Sequence, residues 1–237
     1  MNRILYILPI AFLALVSCKE DTLDTYHGSD YVHFTPGLSD RPEVEYNFAM
    51  DGVTTRETEA TIPVEIRLWG YLPVADFKCE VSVVKDKTTA AATDYVEPEY
   101  ALFRTGYHVD TLWVKVNRRE KLLASDYKIV LMLDNAGDDH VVGPAKYNTV
   151  TVKVTDQIKE EPRWWGAHES ELGQYIPMKY RMLNIFLGKV LRTTDEYTNI
   201  TFKEKILEFK QWWKENWESY KYYAADGSTP LYDTIPD

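Results

Sequence analysis

Side chains able to cut or transfer bonds are present in this chain, but not at spacings that let them act together. Two acid pairs, Glu43/Glu45 and Glu169/Glu171, come closest. Glycoside hydrolysis needs two carboxyl groups facing each other across a cleft, about 5 to 10 Å apart, so that one can protonate the leaving oxygen while the other attacks or activates water. With 37 acidic residues in the chain such pairs arise from composition, and residues two apart on a strand share its solvent face. The five histidines, His27, His33, His108, His140 and His168, are scattered, and no two have the spacing of metal ligands on one helix. Neither Gly-x-Ser-x-Gly nor His-Glu-x-x-His occurs, and no glycine-rich phosphate loop follows a strand. The expectation is a protein that is not an enzyme.

The remaining chemistry belongs to two cysteines. An apolar run from Ile4 to Val16, preceded by Arg3, is too short to span a bilayer and has the length of a signal-peptide core. It ends in Leu15-Val16-Ser17-Cys18, which resembles a bacterial lipobox. The resemblance implies that residues 1–17 are removed and that Cys18 becomes the acylated first residue. Several acyl chains on one cysteine give stable anchoring where a single chain gives only marginal binding. Lys19-Glu20-Asp21 resembles the export signal of Bacteroidetes lipoproteins, which implies display on the cell surface, with the periplasmic face of the outer membrane as the alternative. Residues 18–29 then form a polar, lipidated tether. Cys79 is left without a partner for an internal disulfide and reads as a small buried hydrophobe.

The elements that would position any site fall into two groups. Between Tyr31 and Thr155 apolar residues alternate with polar ones, as in Ile62, Val64, Ile66 and Leu68, or Tyr127, Ile129, Leu131 and Leu133. Val44 to Met50, Phe77 to Val83, Leu112 to Val116 and Val150 to Val154 repeat the pattern. Half-buried strands with no helix between them predict an antiparallel β-sandwich over residues 30–156, with Pro63 at a strand edge. After a charged connector the period changes. Met178, Met182, Ile185, Phe186 and Val190 follow Pro177 at helical spacing. Thr201-Phe202-Lys203-Glu204 reads as a capping box that opens a helix carrying Phe202, Ile206, Phe209, Trp213 and Tyr220 and ending at Asp226-Gly227. Residues 157–237 are therefore expected to form a small helical C-terminal domain packed on the sandwich. The fold class is mainly β plus α.

Five of the seven tryptophans lie in that second half: Trp164, Trp165, Trp212, Trp213 and Trp217. Large rings help a small lobe bury area, which accounts for Trp213 and its stripe. Neighbours on a helix point about 100 degrees apart, so Trp212 and Trp213 cannot face one core. Trp164, Trp165, Trp212 and Trp217 are thus the candidate binding rings, with core packing as the alternative. A flat exposed indole stacks on a sugar ring or anchors a protein interface.

Two resemblances add to this. Thr93-Asp94-Tyr95, Leu112 to Val116, Asp126 to Leu131 and Thr149 to Val154 are similar in order to the Calx-β type of immunoglobulin-like sandwich. Some members of that type bind calcium through acidic loops, and here the loop offers Asp134, Asp138 and Asp139, which otherwise read as a solvated turn. No other cofactor is expected. Trp165-Gly166, Leu172-Gly173-Gln174-Tyr175 and Lys179-Tyr180, with the lipobox and the segment Tyr26 to Phe34, resemble a domain-of-unknown-function family of Bacteroidetes outer-membrane lipoproteins. That resemblance implies an accessory binding subunit of a TonB-dependent nutrient uptake system, meeting the importer and its lid lipoprotein and capturing glycan or peptide. A structural or adhesive envelope module is the alternative. The net charge of -10 excludes a basic face for nucleic acid.

Overall fold

The computed structural model describes residues 28–36, 41–52 and 57–237. The leader 1–17, the lipidation site Cys18 and nearly all of the tether lie outside the described residues. The described chain is mainly β, sandwich-like, with a few short helices after it. Nine strands form two sheets: β1 (Tyr31–Phe34), β2 (Glu43–Asn47), β3 (Glu59–Trp69), β4 (Phe77–Val83), β5 (Tyr100–Phe103), β6 (Val109–Asn117), β7 (Tyr127–Asn135), β8 (Val141–Val142) and β9 (Thr149–Thr155). The four-stranded sheet has the order β6-β3-β1-β8 and the five-stranded sheet β2-β9-β7-β4-β5.

Alternation sets the register. In the β3–β6 ladder Ile62 lies opposite Val114 and Val64 opposite Leu112, and all four turn inward. In the facing sheet Ile129 pairs with Val152 and Leu131 with Val150, so the two inner faces meet in one apolar core. A slip of one residue would expose a whole row, which pins the pairing. Pro63 sits where β1 has already ended, since β1 reaches only Ile66. The carbonyl of Glu65 accepts from the Thr35 amide on the β1 side, and Pro63, two residues back, turns its missing donor to the same vacant side.

Not every pairing is antiparallel. β1 runs parallel to β8, and β2 runs parallel to β9. Early strands here lie beside late ones, and the long intervening chain supplies the crossover that parallel neighbours need.

Among the described residues three α-helices follow: α1 (Glu169–Leu172), α2 (Pro177–Leu187) and α3 (Asn199–Glu215). Pro177 occupies the first turn of α2, as its fixed φ favours. The start of α3 differs from the expected box at Thr201 and Glu204. Thr198 is the N-cap: its Oγ1 accepts from the Thr201 amide at 3.2 Å, and the Thr201 hydroxyl accepts from the Thr198 amide at 2.9 Å. A hydroxyl at the third position does the work assigned to the glutamate. The helix ends at Glu215 rather than at Asp226-Gly227: Asn216 caps it, donating from Nδ2 to the Trp212 carbonyl at 2.8 Å, and Asp226 instead builds a separate turn, accepting from the Ser228 and Thr229 amides. Phe202, Ile206, Phe209 and Trp213 form the buried stripe of α3 and pack with Leu172, Tyr180, Met182 and Leu183 in a second apolar cluster. No helix among the described residues is long and apolar enough to cross a membrane.

Candidate functional site: an aromatic groove between two edge strands

β5 closes one edge of the five-stranded sheet and β6 one edge of the four-stranded sheet. They are consecutive in sequence, so the chain crosses from sheet to sheet through residues 104–108 and leaves the two edges side by side. Between them runs a groove of about 510 Å³ lined by Tyr100, Leu102, Arg104, Asp110, Thr111 and Trp113. Alternation explains the rings. Leu112 and Val114 point into the core, which turns Trp113 outward, 61% exposed; Ala101 and Phe103 point inward and leave Tyr100 44% exposed. Lys78 lies 4.0 Å over the Tyr100 ring and holds its face from the neighbouring strand.

The polar end of the groove is rigid. Arg104 makes a two-pronged contact with Asp110, Nε to Oδ2 at 2.9 Å and Nη2 to Oδ1 at 3.0 Å. The Arg104 and Thr111 amides donate to the same carboxylate at 2.9 and 2.8 Å. Burial alone would raise the Asp110 pKa; the hydrogen bonds from Arg104 and the two amides outweigh it and hold the carboxyl below its usual range. Cys79, buried under the neighbouring strand, has its thiol pushed up to about 12 by burial, with Asp110 adding to the shift, so it is no nucleophile at neutral pH. Two flat rings beside a fixed guanidinium and carboxylate suit a polymer that offers apolar faces and hydroxyl or amide groups. The outer edge of β6 is already paired with Asp94–Val96 over Lys115–Asn117, so only its first half, beside β5, has a backbone edge that suits an extended peptide.

The four tryptophans singled out in the sequence gather in the C-terminal region. Trp165 is 1% exposed and donates from Nε1 to the Gly173 carbonyl at 3.1 Å, so it has no surface to offer. Trp164 is half-buried, packs on Trp165, Tyr180 and Phe202, and donates to the Leu191 carbonyl at 3.1 Å. Trp212 is half-buried against Phe186, Phe209 and Tyr220, while Trp217 lies between Tyr223 and Tyr232. Each of the four thus packs against other rings of the C-terminal region. Asp134, near the end of β7, and Asp138 and Asp139, in the β7–β8 turn, lie on the surface, and among the described residues no three His, Cys, Asp or Glu side chains group as a metal site would require.

Sequence reasoning passed over Trp113 and Tyr100. The signal was available for Trp113: an indole between Leu112 and Val114 falls on the polar face of its strand, where a large ring has no packing role.

Three comparisons with known proteins bear on the chain. A transcriptional regulatory protein of Bacillus subtilis, YxdJ, is 26% identical over 153 residues, a match that spans 59% of this chain and 62% of that protein's length. The apo form of the Calx CBD1 domain covers 54% of this chain and 98% of its own at 18% identity, with a TM-score of 0.38. A Bacteroides ovatus protein of unknown function covers 52% of this chain and 43% of its own at 13% identity, with a TM-score of 0.37. The family model for the domain of unknown function DUF4843 matches residues 26–189, from before β1 to just beyond α2, and the chain belongs to that family.

Proposed function

We propose that this protein is a non-catalytic lipoprotein of the outer membrane, acylated at Cys18 and displayed on the cell surface. In this reading it is an accessory binding subunit of a TonB-dependent uptake system and captures a glycan or peptide for the importer and its lid. Its architecture is an immunoglobulin-like sandwich, which carries the ligand, followed by an aromatic-rich helical domain. The observation that carries the reading is the groove between β5 and β6, where Trp113 and Tyr100 stand exposed beside the rigid Arg104–Asp110 pair. Exposed rings beside oriented polar groups are how a protein holds a sugar chain or an extended peptide without chemistry. The net charge of -10 gives no electrostatic footprint for DNA, so the regulatory role named for the Bacillus protein is not carried over.

The test is recovery of the protein from native outer membranes in mild detergent, with co-purifying proteins identified by mass spectrometry and the mass of the Cys18 peptide measured. An acylated Cys18 with an importer and its lid in near-stoichiometric amount is the expected result. Recovery with a different envelope protein and no importer supports the structural or adhesive role instead.

A further inference from the structure

One end of the sandwich carries a loop whose composition is unlike the rest of the acidic surface. From the last residue of β3 towards β4 the chain reads Trp69-Gly70-Tyr71-Leu72-Pro73-Val74. Trp69, Tyr71, Leu72 and Val74 are all exposed, Val74 at 98%. Tyr107, from the β5–β6 connection, and Val109, the first residue of β6, are exposed at the same end. Single exposed apolar residues need no explanation, but four from one six-residue stretch mark a contact surface.

The loop is held in place. Thr105 Oγ1 and the Gly106 amide both donate to the Pro73 carbonyl, at 2.9 and 3.0 Å, and the Thr105 amide donates to Asp76 Oδ1 at 2.7 Å. On its other flank the Tyr71 amide donates to Asp30 Oδ1 at 2.9 Å. Gly70 allows this approach: its φ is +132°, and a Cβ there would lie 1.8 Å from Asp30 Oδ1. The apolar tip is therefore presented with little ordering left to lose on contact.

Its position supplies the occupant. Tyr31, the first residue of β1, lies opposite Trp69, so the chain preceding Asp30 joins the body at this tip. The opposite end, where Thr155 and Asn47 finish their strands, leads to the C-terminal helices. Residues 19–29 separate Cys18 from that junction. At about 3.5 Å per residue their full reach is at most about 40 Å. A lipid on Cys18 would thus hold the apolar tip within a short distance of the bilayer at high effective concentration.

We propose that the Trp69–Val74 tip is a second membrane contact that seats Trp69, Tyr71, Leu72 and Val74 in the interfacial layer of the bilayer that the lipid anchors. Tryptophan and tyrosine are the side chains that favour that layer, and leucine and valine reach below it. Asp138 and Asp139 are exposed on the β7–β8 turn, and β8 pairs with Tyr31 and Val32 at this end, so the contact suits zwitterionic lipid better than anionic lipid. The body then stands on its tip, with the β5–β6 groove along its flank and the C-terminal helices farthest from the lipid. The orientation rests on the anchor at Cys18, whereas the affinity of the tip for lipid does not.

The experiment uses the processed chain from residue 18 onward carrying Cys18→Ser, so that no acyl group contributes. Sedimentation with phosphatidylcholine vesicles measures partitioning, and vesicles of brominated phosphatidylcholine measure quenching of indole fluorescence. The expected result is measurable partitioning that falls at least tenfold in Leu72→Ser/Val74→Ser and is weaker on vesicles containing phosphatidylglycerol. Trp69→Phe should remove most of the bromine quenching while partitioning changes little. Both variants alter exposed side chains, and an unchanged melting temperature confirms the fold. Absence of partitioning, or partitioning that the double variant leaves intact, overturns the proposal. Capture of a protein in place of lipid by a photo-crosslinker at position 74 in native membranes does so too. A failed anchor would show separately, as an unmodified Cys18 peptide.

Discussion

Arg181, on α2, donates from Nη1 to Oδ1 of Asp156, just beyond the end of β9, at 2.8 Å. From the sandwich side Arg118 grips the same carboxylate, Nε to Oδ2 at 2.8 Å and Nη2 to Oδ1 at 3.0 Å. Asp156 is 2% exposed. One carboxylate thus ties the strands to the helices, and a second guanidinium contact, Arg181 Nη2 to the Asp156 carbonyl, tightens the joint. Arg192 adds a third link by donating to the Met50 carbonyl at 3.1 Å.

Asp156→Ala should therefore be severe. It takes the carboxylate away from the Arg181 guanidinium, on a residue only 6% exposed, and breaking a buried pair on one side costs about 3–5 kcal/mol. Urea denaturation should show a loss of that size. A loss below about 1 kcal/mol would mean that water screens the joint.

Lys179 gives a pH signature. Its ammonium is 1% exposed and donates to the Leu172, Gln174 and Thr234 carbonyls at 2.9, 3.2 and 3.1 Å, with no carboxylate among these partners. Burial pulls its pKa down to about 8. The unfolded chain holds this proton up to about pH 10.4, so above about pH 8 it carries more protons than the folded one and stability rises with pH. Below about pH 8 both states are charged and the burial cost is fully present. Tyr175 and Tyr180, raised by burial, act in the opposite sense only as unfolded tyrosine ionises near pH 10. Between about pH 7.5 and 9.5 the wild type should gain denaturant resistance relative to Lys179→Met, as read from paired urea titrations at several pH values. Parallel curves for the two proteins would remove Lys179 as a titrating group.

Gly173 tests the strap over that lysine. Its φ is +70°, and a Cβ there would stand 2.6 Å from the Thr234 carbonyl and 3.0 Å from Lys179 Nζ. Gly173→Ala should cost about 1–3 kcal/mol, the range for a non-glycine residue forced into a disfavoured backbone region. It should also expose the C-terminal turn at Leu231–Thr234, seen as faster amide exchange there and unchanged exchange in β7.

The sandwich was the legible part of the chain. Ile62, Val64, Ile66 and Leu68 alternate at the period of a strand, and burial of one face follows from that alone. The parallel pairing of β2 with β9 was not legible, because Val44 and Val152 carry no local sign of their partnership. Nor was the Asp156 joint, which brings together residues 38 and 25 positions away along the chain. In α2 the expected stripe ran through Met178, Met182 and Ile185, but Lys179, Arg181 and Asn184 are buried with Tyr180, Met182 and Leu183. A polar residue on a buried face is recognised only once its partners are known, here the carbonyls around Lys179, the carboxylate of Asp156 and the Leu191 amide that donates to Asn184 at 2.9 Å. The rings of the β5–β6 groove left little signal in the sequence for a related reason. Tryptophan number pointed to the C-terminal half, where the rings pack on one another, whereas exposure is greatest at the lone Trp113.

The most direct test of the binding role is titration of the protein against a panel of soluble glycans and peptides, followed by isothermal calorimetry on those that bind. Trp113→Ala and Tyr100→Ala, both at exposed positions, should each weaken binding about tenfold, the loss of about 1.4 kcal/mol expected for one stacking ring. Trp165→Phe should leave affinity unchanged. Binding that survives loss of both groove rings, or no binding to any member of the panel, would contradict the assignment of the β5–β6 groove as the capture site.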